Sequence, residues 1–187
     1  MTALSALWLS ILLSSVAVFI VSSIIHMMSP WHKSDYPMVP DQDRVMDALR
    51  PFAIPPGDYM MPRPASARDM KSPEFLAKRA KGPVMILTVI PSGATTAMGK
   101  YLVSWYLYLL VVSAITACVT FAAAGVAPTH HRIFHFAGVT AFISYVVALW
   151  QMSIWYHRPW STTIKLTFDG LIYALVTAEI FGLLWPR

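Results

Sequence analysis

Two groups of ionisable side chains lie in or beside strongly apolar stretches, where a charged group is costly and therefore a candidate for chemistry. The first group contains His131, His135 and Glu179. His131 and His135 are four residues apart, so a helix would place both side chains on one face, one turn apart. Two histidines and a carboxylate suit zinc or another divalent ion. These three residues are therefore a candidate metal site.

The stretch that holds both histidines, "PTHHRIFHFAG", also has a purely structural interpretation. Thr129 would cap a helix, and His130 and His131 would lie among lipid headgroups. His135 would then form a hydrogen bond with Glu179 or with a backbone carbonyl. We favour this interpretation because a metal site usually has a richer ligand set. No attachment motif or clear second axial ligand indicates haem, so the sequence identifies no cofactor.

The second group contains His26, His157 and Asp169, which the sequence places at one end of their apolar helices. One hypothesis is a proton relay between Asp169 and Glu179, which would lie about 15 Å apart along one helix. Tyr173 lies between them and is available as an intermediate. The structural alternative is that Asp169 begins its helix, where the helix dipole favours a negative charge.

Four apolar runs must position these side chains, at residues 3–28, 101–127, 133–156 and 166–185. Of the 187 residues, 57% are hydrophobic and 12% are charged, whereas about a quarter are charged in a soluble domain. Each run has roughly the 20 residues that cross a bilayer, and a helix satisfies its own backbone there. The sequence therefore predicts an all-α membrane protein, a four-transmembrane-helix bundle with a small α+β insert between helices 1 and 2.

The first run, residues 3–28, is expected to be a retained helix. It has no basic residues at its start, and its apolar stretch is longer than that of a signal peptide. Ser15, Phe19, Ser22 and His26 recur at spacings of four, three and four. This stripe predicts that His26 faces the bundle.

Lysines and arginines are distributed very unequally between the two predicted sides of the membrane. Twelve of the fourteen lie between helices 1 and 2 or between helices 3 and 4, and the other two are Arg132 and Arg187. Basic loops stay in the cytoplasm, so we expect the insert there and both termini outward, in a bacterial inner membrane. The formal net charge of +5 fits this topology signal better than a nucleic-acid partner.

The insert, residues 29–100, carries local structural signals. Asp41 precedes a helical pattern, and Ser72 followed by Pro73 is typical of a capped helix start. Residues 84–90 are rich in β-branched side chains between Gly-Pro and Pro-Ser-Gly, which predicts a strand. Residues 59–61 are its expected partner.

Several short stretches resemble a family of small polytopic bacterial inner-membrane proteins that has no assigned function. They include "HKSDY", "PDQDRV", "PPGDYMMP", "MGKYLVSWY", "HRPW" and "DGLIYALVTAEIFGLLWP", and together the matching stretches cover most of the chain. The resemblance implies a four-helix plan with a cytoplasmic insert. It implies no catalytic residue.

No phosphate-binding loop, dinucleotide fingerprint or nucleophile motif is present in the sequence. We therefore expect a non-enzymatic accessory or assembly subunit of a larger membrane complex. Its partners would be the lipid bilayer and other membrane subunits or further copies of itself. A proton-coupled carrier and a membrane metal-binding protein are the alternatives. Small residues at 116–125 and the serines of helix 1 allow close helix packing, either internally or with a partner.

Overall fold

The computed structural model describes residues 4–93 and 98–186. Its α-helices, in chain order, are α1 (Trp8–Ser23), α2 (Gln42–Leu49), α3 (Pro73–Lys81), α4 (Met98–Ala124), α5 (His130–Val146), α6 (Trp150–Tyr156) and α7 (Trp160–Leu184). The 3-10 turn Leu4–Leu7 leads into α1, and the wider π-helical turn Ile24–Met28 extends it. The 3-10 turn Val147–Leu149 joins α5 to α6.

Four helical segments of the described chain are long and apolar enough to cross a membrane: Ser5–Met28, Met98–Ala124, His130–Tyr156 and Trp160–Leu184. The predicted number of spanning helices is thus confirmed by length and composition, and the chain is a multi-pass membrane protein. The structure also confirms the cap at Thr129, whose Oγ1 accepts a hydrogen bond from the Arg132 backbone N–H at 3.3 Å.

The last helix begins at Trp160, six residues before the predicted start. Pro159 precedes it and its carbonyl accepts bonds from the Thr162 and Thr163 amides, a position where a missing proline N–H costs nothing. Asp169 therefore lies nine residues inside α7. The prediction that Asp169 begins this helix is wrong, and the helix dipole does not explain a carboxylate at that depth.

The spanning helices form a ring in the order α1, α4, α5, α7, in which each packs against two neighbours. Small side chains line the inside, including Ser14 and Ser113, whose hydroxyls bond at 3.0 Å. Thr116, Ala117 and Thr120 are also fully buried. Several of the small residues predicted to bring helices together thus pack within the bundle, whereas Cys118, Ala122 and Gly125 are exposed. Small residues let helix backbones approach closely in lipid.

The chain divides into two compact units, one made of residues 1–37 with 98–187 and the other of residues 38–97. The second contains α2, α3 and an antiparallel strand pair, β1 (Gly57–Met61) and β2 (Met85–Val89), so the predicted pairing is confirmed. Ser72 caps α3 by accepting the Phe75 amide at 3.2 Å, as predicted. Asp41 precedes α2 but its side chain makes no cap bond.

The boundary of the insert differs from the predicted one. Residues 98–100, which the sequence assigned to the insert, belong to the helical unit as the start of α4, and so do residues 29–37. For residues 29–37 the reason is that polar side chains of the segment bind α7, as the contacts of His32 and Asp35 show.

Candidate functional site

A tight turn after the first spanning helix positions the polar side chains of the site. Ser29 ends the π-helical turn and its hydroxyl accepts a hydrogen bond from the Trp31 amide at 3.1 Å. Pro30–His32 then forms a single 3-10 turn, and the Asp35 amide bonds to the His32 carbonyl at 3.0 Å. The chain therefore folds back at once and presents His32 and Asp35 together.

His32 lies between two carboxylates. Its Nδ1 is 2.7 Å from Oδ2 of Asp35, and its Nε2 is 2.8 Å from Oδ2 of Asp169. The exposed fractions of the three side chains are 14%, 6% and 4%, so water does little to screen these contacts. Making both hydrogen bonds requires two protons, carried either by the imidazole or by the imidazole and one carboxyl group.

Lys165 completes a four-residue group with His32, Asp35 and Asp169, which we call the His32 cluster. Lys165 Nζ donates to Asp35 Oδ1 and to Ser34 Oγ, both at 2.8 Å. Lys165 and Asp169 are four residues apart on α7, so they point to the same side. When His32 carries both ring protons, two cations and two carboxylates cancel, which allows the cluster to be buried.

Asp35, like His32, lies outside the spanning helices. Burial by itself would raise the pKa of the Asp35 carboxyl. The hydrogen bonds from Lys165 and His32, with the charges of those groups, outweigh burial and lower the pKa below its ordinary value. Asp35 is therefore ionised near neutral pH and holds the His32 ring by its Nδ1 side.

His26 stacks on His32, with ring centroids 4.3 Å apart and planes at 19°. The stripe prediction holds for Ser15 and Ser22, which are buried, but His26 itself is exposed. His26 lies in the π-helical turn Ile24–Met28, and one of its ring nitrogens is within 4.8 Å of ligand atoms of His32 and of Asp169 on α7.

Of the predicted inner group, the structure brings together His26 and Asp169 but not His157. His157 lies exposed at the end of α6, in the left-handed region at a φ of 55°. Sequence reasoning missed His32, Asp35 and Lys165. The available signal was "HKSDY", a histidine three residues before an aspartate directly after a spanning helix.

The outer group does not assemble as predicted. The residue opposite Glu179 is His130, at 3.7 Å, and both side chains are about half exposed. The predicted contact between His135 and Glu179 is therefore wrong. Ile133, Ala137 and Ala141 form the buried stripe of α5, and a shift of two residues turns a side chain by about 200°. His131 and His135 consequently face outward, where their rings stack at 6.5 Å.

Among the described residues, one set of three histidine and carboxylate ligands is close enough to share a metal ion. His26, His32 and Asp169 each offer one ligand atom, and these atoms lie within 4.8 Å of one another. Two members of this set, His26 and Asp169, come from the predicted inner group, and none comes from the predicted outer group.

Comparisons with known proteins do not identify a family for this chain. The chain matches no protein family, no curated protein and no solved structure. The resemblance to a family of bacterial inner-membrane proteins therefore stays an expectation from sequence.

Proposed function

We propose that the protein is a non-enzymatic integral membrane subunit that helps to assemble or support a larger membrane complex. In this proposal, residues 38–97 dock the partner protein. The observation that carries it is that no residue in the described part of this unit, residues 38–93, is buried. A domain of about 60 residues normally buries some 60% of the surface of its unfolded chain.

Large apolar side chains are exposed throughout the unit. Phe52 is 73% exposed and Met38 is 79% exposed, and the set continues with Val39, Val45, Met46, Leu49, Met60, Met61, Met70, Leu76, Val84, Ile86 and Ile90. Surfaces of this kind mark interaction sites. Methionine adapts its shape to a partner, and both methionine and aromatic residues are enriched at protein interfaces.

Charged side chains of both signs alternate with these apolar groups along the sequence. Residues 38–97 hold eight lysines and arginines and six aspartates and glutamates, including the paired Asp47 and Arg50. Protein interfaces likewise combine apolar side chains with polar and charged ones. The spanning bundle differs, because it has buried clusters of its own around Val18 and Phe181.

We place the protein in a bacterial inner membrane, with residues 38–97 in the cytoplasm and both termini on the outer side. The support is the lysine and arginine distribution, twelve against two, taken from the sequence.

Charge introduced into the apolar surface is expected to release the partner. We expect native gels of mildly solubilised membranes to show the full chain in a complex well above its own mass. The double variant Phe52→Asp with Met60→Asp should shift it to the monomer, because both side chains are exposed and their replacement leaves the fold intact. Arg44→Asp, at an 86% exposed side chain, is the matched control and should leave the complex in place.

Migration of the unaltered chain only as a lone monomer would contradict the proposal. The mass of the complex distinguishes the two possible partners. A whole-number multiple of the mass of the chain indicates further copies of it, and any other mass indicates a different subunit.

A proton-coupled carrier is the second candidate, and one observation favours it. Tyr173 lies between Asp169 and Glu179 on α7, is 4% exposed, and its hydroxyl has no hydrogen-bond partner among the described residues. A proton flux in proteoliposomes that Tyr173→Phe abolishes would support this function over the first.

A further inference from the structure

We propose that His26, His32 and Asp169 bind one divalent metal ion of the zinc class, at the point where the first spanning helix ends beside α7. The site differs in position and residues from the apolar surface of residues 38–97. It takes ligands from two parts of the chain, because His32 and Asp169 are 137 residues apart.

The ligand types fit a divalent ion of intermediate softness. Two imidazoles with one carboxylate form a common three-ligand set for catalytic zinc, which leaves a further position for water or another ligand. Iron(II) also uses two histidines and a carboxylate. Calcium and magnesium are poor matches because they select oxygen ligands.

The distances require only a small local adjustment. At zinc–ligand bonds of about 2.0–2.1 Å, neighbouring ligand atoms in a tetrahedron lie about 3.3–3.4 Å apart. His32 Nε2 and Asp169 Oδ2 are now 2.8 Å apart, and all three ligand atoms lie within 4.8 Å. His26 can close the remaining distance by turning its side chain, because it is exposed and makes no hydrogen bond in the described chain.

The groups around His32 are those that prepare a histidine to bind a metal. A metal-binding histidine almost always donates its other ring N–H to a carboxylate or carbonyl, which fixes the ring. His32 Nδ1 already meets Asp35 at 2.7 Å, and Asp35 is itself fixed by Lys165 at 2.8 Å. The lone pair of Nε2 is thereby directed toward Asp169. The metal ion would replace the proton that Nε2 and Asp169 now share.

Binding would tie the end of the first spanning helix to the last one. His26 belongs to the turn Ile24–Met28 and Asp169 to α7. An ion held between them stabilises only the folded bundle, so the unfolding temperature should rise with the logarithm of the free ion concentration once that concentration exceeds the dissociation constant.

The test is a zinc titration of the purified full-length chain in detergent, after chelation, followed by calorimetry and by thermal unfolding. We expect one Zn²⁺ per chain and a rise in unfolding temperature. His26→Ala should weaken binding by more than about 100-fold, beyond the loss typical of an outer partner. This variant keeps the hydrogen bonds of the His32 cluster, so it should fold. A substitution of Asp169 itself, such as Asp169→Asn, would disturb one of those bonds and is a less suitable test.

Asp35 is a positioning residue in this proposal. Asp35→Asn should keep the ratio of one ion per chain but weaken binding by about 10–100-fold. His157→Ala and His131→Ala are the controls and should bind zinc normally, because neither side chain belongs to the set. Binding well below one ion per chain would overturn the proposal, as would binding that His131→Ala removes and His26→Ala leaves unchanged.

Discussion

Asp169→Ala is expected to destabilise the helical bundle by about 3–5 kcal/mol, the cost of removing one partner from a buried ion pair. The Asp169 side chain is 4% exposed and its Oδ2 lies 2.8 Å from His32 Nε2. Its removal leaves the His32 ring with one carboxylate partner, Asp35. The segment after the first spanning helix would then lose its polar contact with α7.

Thermal or denaturant unfolding in detergent measures this loss. Glu179→Ala is the matched control, since it removes a carboxylate from the same helix. Its histidine contact is 3.7 Å long and about half exposed, so the expected change is within about 0.5 kcal/mol. Equal effects at the two positions would show that the His32–Asp169 contact does not hold the bundle.

Gly170→Ala is expected to destabilise the protein by at least about 1–3 kcal/mol, the usual cost of inserting a carbon into a packed core. A Cβ at this position would overlap Val146 Cγ2 and lie 3.3 Å from Tyr145 Cβ. Both residues belong to α5, so the glycine marks a close approach of α5 and α7. Within a helix, alanine normally stabilises by about 0.5–1 kcal/mol relative to glycine, so the expected sign is reversed.

Gly99→Ala is the control for this prediction. Gly99 lies in α4, and a Cβ there meets no atom within 4 Å. This variant should be neutral or slightly stabilising in the same unfolding measurement. If Gly170→Ala were as harmless as Gly99→Ala, the two helices would not approach as closely as the structure shows.

The elements that sequence reasoning predicted well are those that depend on local signals. Four apolar runs are long enough to cross a bilayer, and each became a spanning helix. Proline and glycine bracket residues 84–90, and the strand formed between them, paired with the expected segment. Ser72 capped its helix because a serine before proline satisfies a free amide without help from the rest of the fold.

The candidate site depends on contacts that no local pattern reveals. His32 and Asp169 are far apart in sequence, and their meeting requires both the turn at Pro30–His32 and an earlier start of α7.

The outer histidines illustrate a different limit. Their spacing correctly indicated one shared face, but spacing does not say which face is buried. Ile133, Ala137 and Ala141 took the interior, and Glu179 consequently met His130. The apolar residues that follow each histidine by two positions indicate which face of the helix is buried.

We propose that the chain crosses the membrane four times, with residues 38–97 on one side and the loop after α4 and both termini on the other. An impermeant thiol reagent tests it on single-cysteine variants in a Cys118→Ala background, in sealed vesicles of known orientation. Arg68→Cys and His157→Cys should react from the cytoplasmic side, and Val126→Cys, at a fully exposed position, from the outer side. Reaction of Arg68→Cys and Val126→Cys from the same side would contradict the account.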